Sequence, residues 1–304
     1  MFSPAAPAAE ITGEIILVLT AGASVIFVLM MVLLWHTLRA NKPPLRKAQR
    51  RLWIIGGGFV FPVVVLSALL GYSTWRSVQL TSQAHEGIVI SVTGVQWWWD
   101  VRYRNPATGL EVRTANEIRV PVGQPVTLGL ATTDVIHSFW VPALAGKVDM
   151  VPGRVHQLRI AASKPGVYRG QCAEYCGDQH AKMALHVVAV TPEEFRTWLV
   201  AQAAPASTAS DTLGERGQRL FTELRCTACH AVRGITGASD LGPDLTHVAS
   251  RLYIGAGSLP TRPENFRTWV EHVQRVKPGA RMPSYNELDG ASLDALAAFL
   301  GGLK

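Results

Sequence analysis

The four cysteines of this chain fall into two close pairs, each beside other side chains that can bind metals or cofactors. The first pair is Cys172 and Cys176, and the second is Cys226 and Cys229, which a histidine follows directly. Thiolate and imidazole groups are common ligands of redox metals in proteins. The sequence therefore predicts two redox centres in one chain and a function in electron transfer.

The second pair belongs to a Cys-x-x-Cys-His motif at residues 226–230. Two thiols at this spacing can each bond one vinyl group of a haem, while His230 binds the iron. A lone CxxC is also typical of a redox disulfide or half of a zinc site, but the adjacent histidine favours haem. A thioether is a common sixth ligand of an electron-carrying iron, and Met282 is the one methionine after Cys229. We therefore predict one haem c, bound covalently through Cys226 and Cys229, with His230 and Met282 as axial ligands.

The first pair belongs to a denser cluster of ligands. Cys172, Cys176, His180 and Met183 follow one another at spacings of four, four and three residues. Soft thiolate and thioether ligands with imidazole favour copper over calcium or magnesium, and structural zinc sites usually present a CxxC pair. Two cysteines can bridge two copper ions, which would require a second histidine from elsewhere in the chain. His137 is the candidate.

Two apolar runs near the start of the chain indicate membrane helices. Residues 15–35 and 52–75 are runs of 21 and 24 residues without a charge. At a rise of about 1.5 Å per residue, each can span a hydrocarbon layer of about 30 Å. The first run is too long for a secretory signal, and residues 1–14 lack the basic residues that such a signal carries.

The distribution of charge predicts the topology. Residues 36–51 include six basic residues and no acidic residue, so this loop is predicted to be cytoplasmic and both ends of the chain external. Residues 76–200 contain 12 basic and 10 acidic residues, and residues 211–304 contain 11 and 10. Most of the net charge of +7 therefore comes from the loop at 36–51 and reflects the predicted membrane topology. It does not indicate a nucleic-acid partner.

The rest of the chain reads as a β domain followed by a helical one. Short alternating segments such as residues 88–92, separated by glycine and proline, predict a sandwich or barrel. Thr191, Pro192 and Glu194 predict a capped helix. Small residues at 203–210 cannot build a core and predict a linker. Three further helices are predicted at residues 212–224, 263–276 and 292–300.

Three segments, at residues 134–139, 147–154 and 172–183, resemble subunit II of haem-copper cytochrome c oxidases. With the haem motif, nearly all 304 residues resemble the fused form found in caa3-type oxidases. The implied fold is multidomain, with a two-helix transmembrane hairpin, an all-β cupredoxin-like Greek-key domain and an all-α class I cytochrome c domain. The predicted boundaries are 1–14 for an external tail, 15–35 for transmembrane helix 1, 36–51 for the cytoplasmic loop and 52–75 for transmembrane helix 2. The cupredoxin-like domain, which would hold a binuclear copper centre named CuA, is predicted at 76–202. The linker follows at 203–210 and the cytochrome c domain at 211–304.

The resemblance also implies the roles of individual residues at the copper site. The side chain of Glu174 would face the catalytic subunit and help to hold a magnesium ion at that interface. The centre itself would be binuclear CuA, with Cys172 and Cys176 as bridging ligands, His137 and His180 as terminal ligands, and Met183 and the backbone carbonyl of Glu174 as weak axial ligands.

Two further residues gain a role from the resemblance. Residues 241–245 resemble the loop of class I cytochromes c in which a proline carbonyl, here that of Pro243, accepts a hydrogen bond from the proximal histidine. Trp97 opens a run of three tryptophans, for which composition alone favours a core or membrane-interface role. The family's aromatic segment begins with the tryptophan through which electrons enter, which implies that role for Trp97.

The implied activity is that of cytochrome c oxidase, with this chain as its electron-transferring subunit II. An external donor, such as a cytochrome c or a bc1-type complex, would reduce the haem, and CuA would pass electrons to subunit I. Subunit I would reduce oxygen to water and pump protons. Subunit III and membrane lipid are further expected partners. The expected location is the bacterial inner membrane, crossed twice, with both redox domains on the periplasmic side.

Two alternatives stay open. The chain could be the CuA and cytochrome c subunit of a nitric oxide reductase, since the electron-transfer chemistry would be the same. It could instead be a membrane-anchored electron-transfer or copper-handling module that serves no oxidase. Exposed, exchangeable cysteine and methionine sites are typical of copper handlers, whereas the strand-like surroundings of Cys172 favour a buried site.

Overall fold

The computed structural model describes residues 3–39, 45–81, 87–104, 109, 111–207 and 211–304. The chain divides into a smaller unit, Ala8–His85, and a larger one composed of Ser3–Pro7 and Glu86–Lys304. Residues 40–44 of the predicted cytoplasmic loop and residues 208–210 of the predicted linker lie outside the described residues.

Two long apolar helical segments make up the smaller unit. Helix α1 spans Pro7–Arg39. The second segment begins as α2 (Lys47–Arg51), continues as a π-helical stretch (Leu52–Val60) and ends as α3 (Phe61–Thr81). Both segments are long and apolar enough to cross a membrane, and most of their large apolar side chains are exposed. Such a surface is typical of helices that face lipid. Arg76 forms an ion pair with Glu14, which joins α3 to α1.

The larger unit begins with a sandwich of two five-stranded sheets. Its strands in chain order are β1 (Ile88–Val95), β2 (Trp98–Arg104), β3 (Glu111–Ala115), β4 (Glu117–Pro121), β5 (Val126–Thr132), β6 (His137–Trp140), β7 (Val148–Met150), β8 (His156–Ile160), β9 (Gly166–Cys172) and β10 (Ala184–Val190). The sheet orders are β3-β2-β1-β5-β8 and β4-β10-β9-β6-β7. Strands β1 and β5 are parallel, as are β4 and β10, while the other neighbours are antiparallel. The predicted cupredoxin-like fold is confirmed.

The core of the β-sandwich domain follows from the alternation of its strands. Leu128 and Leu130 of β5 are fully buried against Ile90 and Val92 of β1, while the residues between them are more exposed. Burying one such side chain stabilises the fold by about 1.5–3 kcal/mol.

The start of the chain also packs on the β-sandwich domain. Ala5 and Ala6 are buried in its core cluster. Ala5 N–H donates to the Ala143 carbonyl at 2.8 Å, and Ser163 N–H donates to the Ala5 carbonyl at 2.7 Å. Part of the predicted external tail is therefore bound to the domain, a contact between distant residues that local patterning does not reveal.

Helix α4 (Pro192–Ala203) closes the β-sandwich domain and begins with the predicted capping box. Thr191 Oγ1 accepts a hydrogen bond from Glu194 N–H at 3.2 Å, and the Glu194 carboxylate accepts one from Thr191 N–H at 2.8 Å. The ring of Trp198 meets the ring of Tyr103 edge to face, with centroids 5.1 Å apart. This contact fixes the helix on the outside of the sheet.

The helical domain follows, with α5 (Thr212–Glu223), α6 (Pro263–Val276), α7 (Gly290–Gly302) and the short strands β11 (Tyr253–Ile254) and β12 (Leu259–Pro260). The three predicted helices are all present. Asp211 and Asp289 cap α5 and α7 by accepting hydrogen bonds from backbone N–H groups. A Cβ atom on Gly217 would lie 2.0 Å from the Ala295 carbonyl oxygen. Only glycine therefore allows α5 and α7 to approach so closely.

Candidate functional site

The pairing of β6 with β9 brings the first group of predicted ligands together. His137 begins β6, and Cys172 ends β9. The chain then turns through Cys176 and a 3₁₀ turn at His180–Lys182, and it enters β10 directly after Met183. His137 thus meets the group of ligands that begins 35 residues later, at Cys172, at one end of the sandwich.

The sulfur and nitrogen atoms in this cluster lie at ligand-to-ligand distances. Cys172 Sγ and Cys176 Sγ are 3.8 Å apart, His137 Nδ1 is 3.8 Å from Cys172 Sγ, and His180 Nδ1 is 3.7 Å from Cys176 Sγ. Met183 Sδ is 3.9 Å from Cys176 Sγ. Two atoms that each bind one tetrahedral ion at about 2.0–2.3 Å are about 3.3–3.8 Å apart. The cluster therefore has the size that a first-row metal requires.

The two buried thiols influence each other's protonation. The hydrogen bond that their sulfurs share lowers the pKa of Cys172 and raises the pKa of Cys176, and burial raises the pKa of Cys176 further. The hydrogen bond therefore favours a thiolate at Cys172 and a proton on Cys176. A metal ion bound between them would replace that proton and allow both to be thiolates.

Asp134 orients His137, and the sequence analysis missed it. Burial lowers the pKa of His137, but hydrogen bonds with Cys172 and Asp134 outweigh this effect and raise it. Its Nε2–H group donates to Asp134 Oδ1 at 2.8 Å, so Nδ1 is left facing Cys172. A carboxylate behind a histidine fixes the tautomer that a metal needs. The available signal was an aspartate three residues before the predicted ligand.

Glu174 presents its backbone and its side chain to different surroundings. Its carbonyl oxygen lies 3.2 Å from Cys172 Sγ, inside the cluster. Its side chain is 43% exposed, and Oε2 lies 3.4 Å from Lys147 Nζ. The carboxylate is thus accessible to a partner or an ion from outside, and its role in magnesium binding stays a prediction.

The second group of predicted ligands lines a cavity of about 410 Å³, most of whose wall belongs to the helical domain. Cys226, Cys229, His230 and Met282 all border it. Most of the remaining wall is apolar and includes Phe221, Leu224, Leu245, Val248, Trp269 and Leu296. An apolar cavity with two thiols on its wall fits a haem bound through its vinyl groups.

Local hydrogen bonds position His230 and Met282, the two predicted axial ligands. His230 Nδ1–H donates to the Pro243 carbonyl at 2.8 Å, and burial lowers the pKa of His230, so Nε2 of the neutral ring is free for iron. A Cβ atom on Gly242 would lie 2.8 Å from His230 Cε1, which explains the glycine in this loop. Gln274 Nε2–H donates to the Met282 carbonyl at 2.7 Å and fixes the backbone on which the thioether is carried.

Arg251 supplies a positive charge to the same cavity, and the sequence offered no signal for it. Its side chain is 7% exposed and borders the cavity. Nη2 donates to the Asp244 carbonyl, whereas Nε has no hydrogen-bond partner among the described residues. A buried guanidinium with an unpaired N–H group is costly. The carboxylate groups of a haem would satisfy it, so the residues present fit the cofactor.

Trp97 lies between the two groups of ligands. Its indole N–H donates to the Cys176 carbonyl at 3.0 Å, and Gln96 Nε2–H donates to the same oxygen at 2.8 Å. Trp97 also borders the cavity that contains the haem ligands. The residue is therefore positioned between both sites, while its role in electron transfer stays a prediction.

Comparison with known proteins assigns a family to each of these domains. The family described as cytochrome C oxidase subunit II, periplasmic domain, matches residues 88–190, and the cytochrome c family matches residues 214–304. Cytochrome c oxidase subunit 2 of Alkalihalophilus pseudofirmus is 38% identical over 217 residues, which cover 71% of this chain and 61% of that protein. The protein of the same name from Bacillus subtilis is 31% identical over 255 residues, which cover 81% of this chain and 70% of that protein.

Among solved structures, the periplasmic domain of subunit II of cytochrome oxidase (CoxB) of Bradyrhizobium japonicum is 30% identical. It matches 40% of this chain and 96% of that chain, with a TM-score of 0.37.

The family matches and the geometry agree on how the chemistry is divided. The residues matched by the first family include the sandwich and its paired thiols, and those matched by the second include the Cys-x-x-Cys-His motif and its cavity. The chain spans 61% of the length of the first relative and 70% of the second. This chain belongs to the cytochrome c oxidase subunit II family and carries a C-terminal cytochrome c domain.

Proposed function

We propose that this chain is the electron-transfer subunit of a proton-pumping haem-copper oxidase. Electrons from an external donor would pass through the haem to CuA and then to subunit I, which reduces oxygen to water. The two matched domains imply copper and haem c as cofactors. The observation that carries the proposal is the cluster of sulfur and imidazole ligands at 3.7–3.9 Å beside Trp97, which also borders the haem cavity.

A binuclear copper site is favoured because each thiol has an imidazole of its own. His137 lies beside Cys172, and His180 lies beside Cys176. Both thiolates would bridge two copper ions, with one imidazole for each ion. Met183 and the Glu174 carbonyl would be the weak axial ligands. Bound copper supplies one-electron redox chemistry, while the buried end of the sandwich holds the ligands rigidly and excludes water.

The haem would be held by four residues of the helical domain. Cys226 and Cys229 would bond it covalently, and His230 and Met282 would bind the iron. Pro243 orients the imidazole, and a thioether ligand raises the reduction potential of the iron. The buried charge of Arg251 would pair with the carboxylate groups of the haem.

Trp97 is the proposed route between the two sites. Its ring borders the haem cavity, and its indole N–H group donates to the carbonyl of Cys176, a proposed bridging ligand. A short path of covalent and hydrogen bonds therefore connects the cavity wall to the copper ligands. Trp97 would undergo no covalent change during the transfer, and its contribution would be its location between the two sites.

The chain is membrane-anchored, and we propose that it crosses the bacterial inner membrane twice with both redox domains on the periplasmic side. The basic residues at 36–51 favour a cytoplasmic loop. The backbone hydrogen bonds of Ala5 to the β-sandwich domain support an external start of the chain, because they require both to be on the same side.

Membership of the family implies association with other oxidase subunits. We propose subunit I and subunit III as these partners and a cytochrome c or a bc1-type complex as the external donor. The exposed Glu174 carboxylate would face subunit I and help to hold an interface magnesium ion. Its partial exposure beside Lys147 supports this role, since the side chain is accessible and already in an ionic environment.

Purification of the intact complex tests the proposed function. We expect two copper ions and one covalent haem c for each copy of this chain, a mixed-valence dicopper signal in the paramagnetic spectrum, and oxygen consumption driven by reduced cytochrome c. Consumption of nitric oxide without oxygen consumption would instead identify a nitric oxide reductase subunit. Purification of the chain with its metals but without a catalytic subunit would identify a separate electron-transfer or copper module.

A further inference from the structure

The helical domain and the β-sandwich domain share a continuous docking interface within the larger unit. Glu117 Oε2 accepts a hydrogen bond from Leu252 N–H at 2.8 Å, and Ala184 N–H donates to the Ala256 carbonyl at 3.1 Å. Elsewhere in this interface, the ring of His186 stacks on that of Tyr253, with centroids 4.4 Å apart and planes inclined by 10°. These contacts join the ends of β4 and β10 to residues 252–256.

Lys277 crosses this interface beside Trp97. The residue follows α6 in the helical domain, and its side chain is only 3% exposed. Its Nζ group donates to the carbonyls of Trp97 at 2.6 Å and Lys182 at 2.7 Å, both of which belong to the β-sandwich domain. A third, longer bond at 3.3 Å reaches the carbonyl of Gly255 in its own domain.

The surroundings of Lys277 make its charge costly. Among the described residues, Lys277 forms no ion pair with a carboxylate. Burial lowers its pKa to about 7. An apolar side chain of the same length would fill the space without the cost of desolvating a charge. The ammonium group therefore points to a role that hydrophobic packing cannot perform.

We propose that Lys277 is a positioning residue for electron transfer, which pins the helical domain to the Trp97 backbone and places a positive charge beside the copper ligands. The first part concerns docking alone, whereas the second rests on the proposed copper function. Trp97 is then held from two sides, by Lys277 at its carbonyl and by Cys176 at its indole N–H group.

The positive charge of Lys277 would raise the reduction potential of the copper site. Gain of one electron lowers the positive charge of the site by one, and a nearby protonated amine favours the less positive state. Docking of the helical domain would therefore make the copper site easier to reduce. The transfer from haem to copper becomes more favourable only while the domains are together.

Two substitutions in the full-length complex separate the bonds of Lys277 from its charge. Lys277→Met removes both, whereas Lys277→Gln removes the charge but keeps an N–H donor. Lys164→Met, at an exposed lysine of the β-sandwich domain outside the docking interface, is the matched control. Haem attachment and the optical spectrum show that each variant is folded.

Hydrogen exchange at the amides of Leu252 and Ala184 measures docking, because both donate across the interface. We expect exchange in Lys277→Met to accelerate about tenfold or more, as expected for lost bonds to a charged donor. Lys277→Gln should show a smaller acceleration. The amide of Gly242, which is bonded to Cys229 within the helical domain, should be unaffected.

The reduction potential of the copper site measures the effect of the charge. We expect it to fall in both Lys277 variants and to stay unchanged in Lys164→Met. The proposal would be overturned if Lys277→Met had the same rate of hydrogen exchange at the interface amides as the control. It would also be overturned if the two variants had the same copper reduction potential. Absence of a dicopper signal from the unaltered complex would instead overturn the proposed function, while the exchange experiment would still test docking.

Discussion

The copper and haem sites are built in opposite ways. In the β-sandwich domain, each ligand atom of the proposed copper site already lies within 4 Å of another, beside a hydrophobic core. In the helical domain, the ligands border a cavity of about 410 Å³. A small ion can bind to a cluster that the fold has formed in advance, whereas a large cofactor becomes part of the core itself.

This difference implies that the stability of the helical domain depends more on its cofactor than the stability of the β-sandwich domain does. We expect loss of copper to leave the packing of Leu128, Phe139 and Leu185 intact, because other side chains bury them. Loss of haem leaves apolar side chains around an empty volume. We therefore expect the helical domain to need its cofactor for stability and the β-sandwich domain to need its cofactor for redox function alone.

The largest expected effect comes from removal of both haem-binding thiols, in the variant with Cys226→Ser and Cys229→Ser. At about 24 cal/mol per Å³, a cavity of this size corresponds to about 10 kcal/mol, and the stability of a whole domain is about 5–15 kcal/mol. The helical domain should lose its cooperative fold. Hydrogen exchange should show unprotected amides in α5–α7, with protected amides in β1–β10.

The copper signal should persist in the same double variant, since no copper ligand is altered. A helical domain that stayed fully protected without haem would contradict the comparison, because it would show that the core does not depend on the cofactor.

The next largest effect is expected from Cys176→Ser and should be confined to the proposed copper site. Cys176→Ser should abolish the mixed-valence dicopper signal, because a hydroxyl group cannot supply a soft bridging ligand. The haem content should be unchanged, and the melting temperature of the β-sandwich domain should shift by only a few degrees. Copper analysis, paramagnetic spectroscopy and calorimetry measure these three quantities. A normal dicopper signal would rule out the bridging role of this thiol.

A smaller change tests the axial ligand of the haem. Met282→Ala should open one iron position, lower the haem potential and allow carbon monoxide to bind, because the thioether raises the potential and blocks access. Redox titration and optical spectra with carbon monoxide measure the outcome. Met150→Leu, a conservative change in the core of the β-sandwich domain, is the control. An unchanged potential would place the axial ligand elsewhere.

The smallest expected effect is at Asp134, which supports the copper site without binding it. Asp134→Asn weakens the acceptor for His137 Nε2–H and should lower copper affinity by about 10–100-fold. Competition with a copper chelator measures this affinity. Asp149→Asn is the matched control, since Asp149 pairs with Lys147 on the surface. Equal affinity in the two variants would show that the tautomer of His137 does not depend on Asp134.

Local patterns allowed much of the fold and of both sites to be predicted. The three cytochrome helices and the capping box at Thr191 depend on residues within one or two turns of helix. Sequence patterns failed where contacts join distant residues. The binding of Ala5 to the β-sandwich domain had no local signal. Asp134 lies only three residues before His137, but its hydrogen bond to the ring was not predicted.

Most donor atoms of the two proposed sites could be identified from the amino-acid sequence alone. Cys226, Cys229 and His230 lie within five residues, and Cys172 to Met183 lie within twelve, so the donor atoms are close together in any compact conformation. Such motifs specify a cofactor because its ligands have fixed chemical types and short spacings.

The completion of the two sites and the connection between them depend on tertiary contacts. Strand pairing between β6 and β9 brings His137 to Cys172, 35 residues away. The folding of one domain on the other brings Lys277 to Trp97 across 180 residues. Contacts at such separations follow from sheet register and domain packing, in which side chains from many elements act together. No local pattern of residue types contains that information.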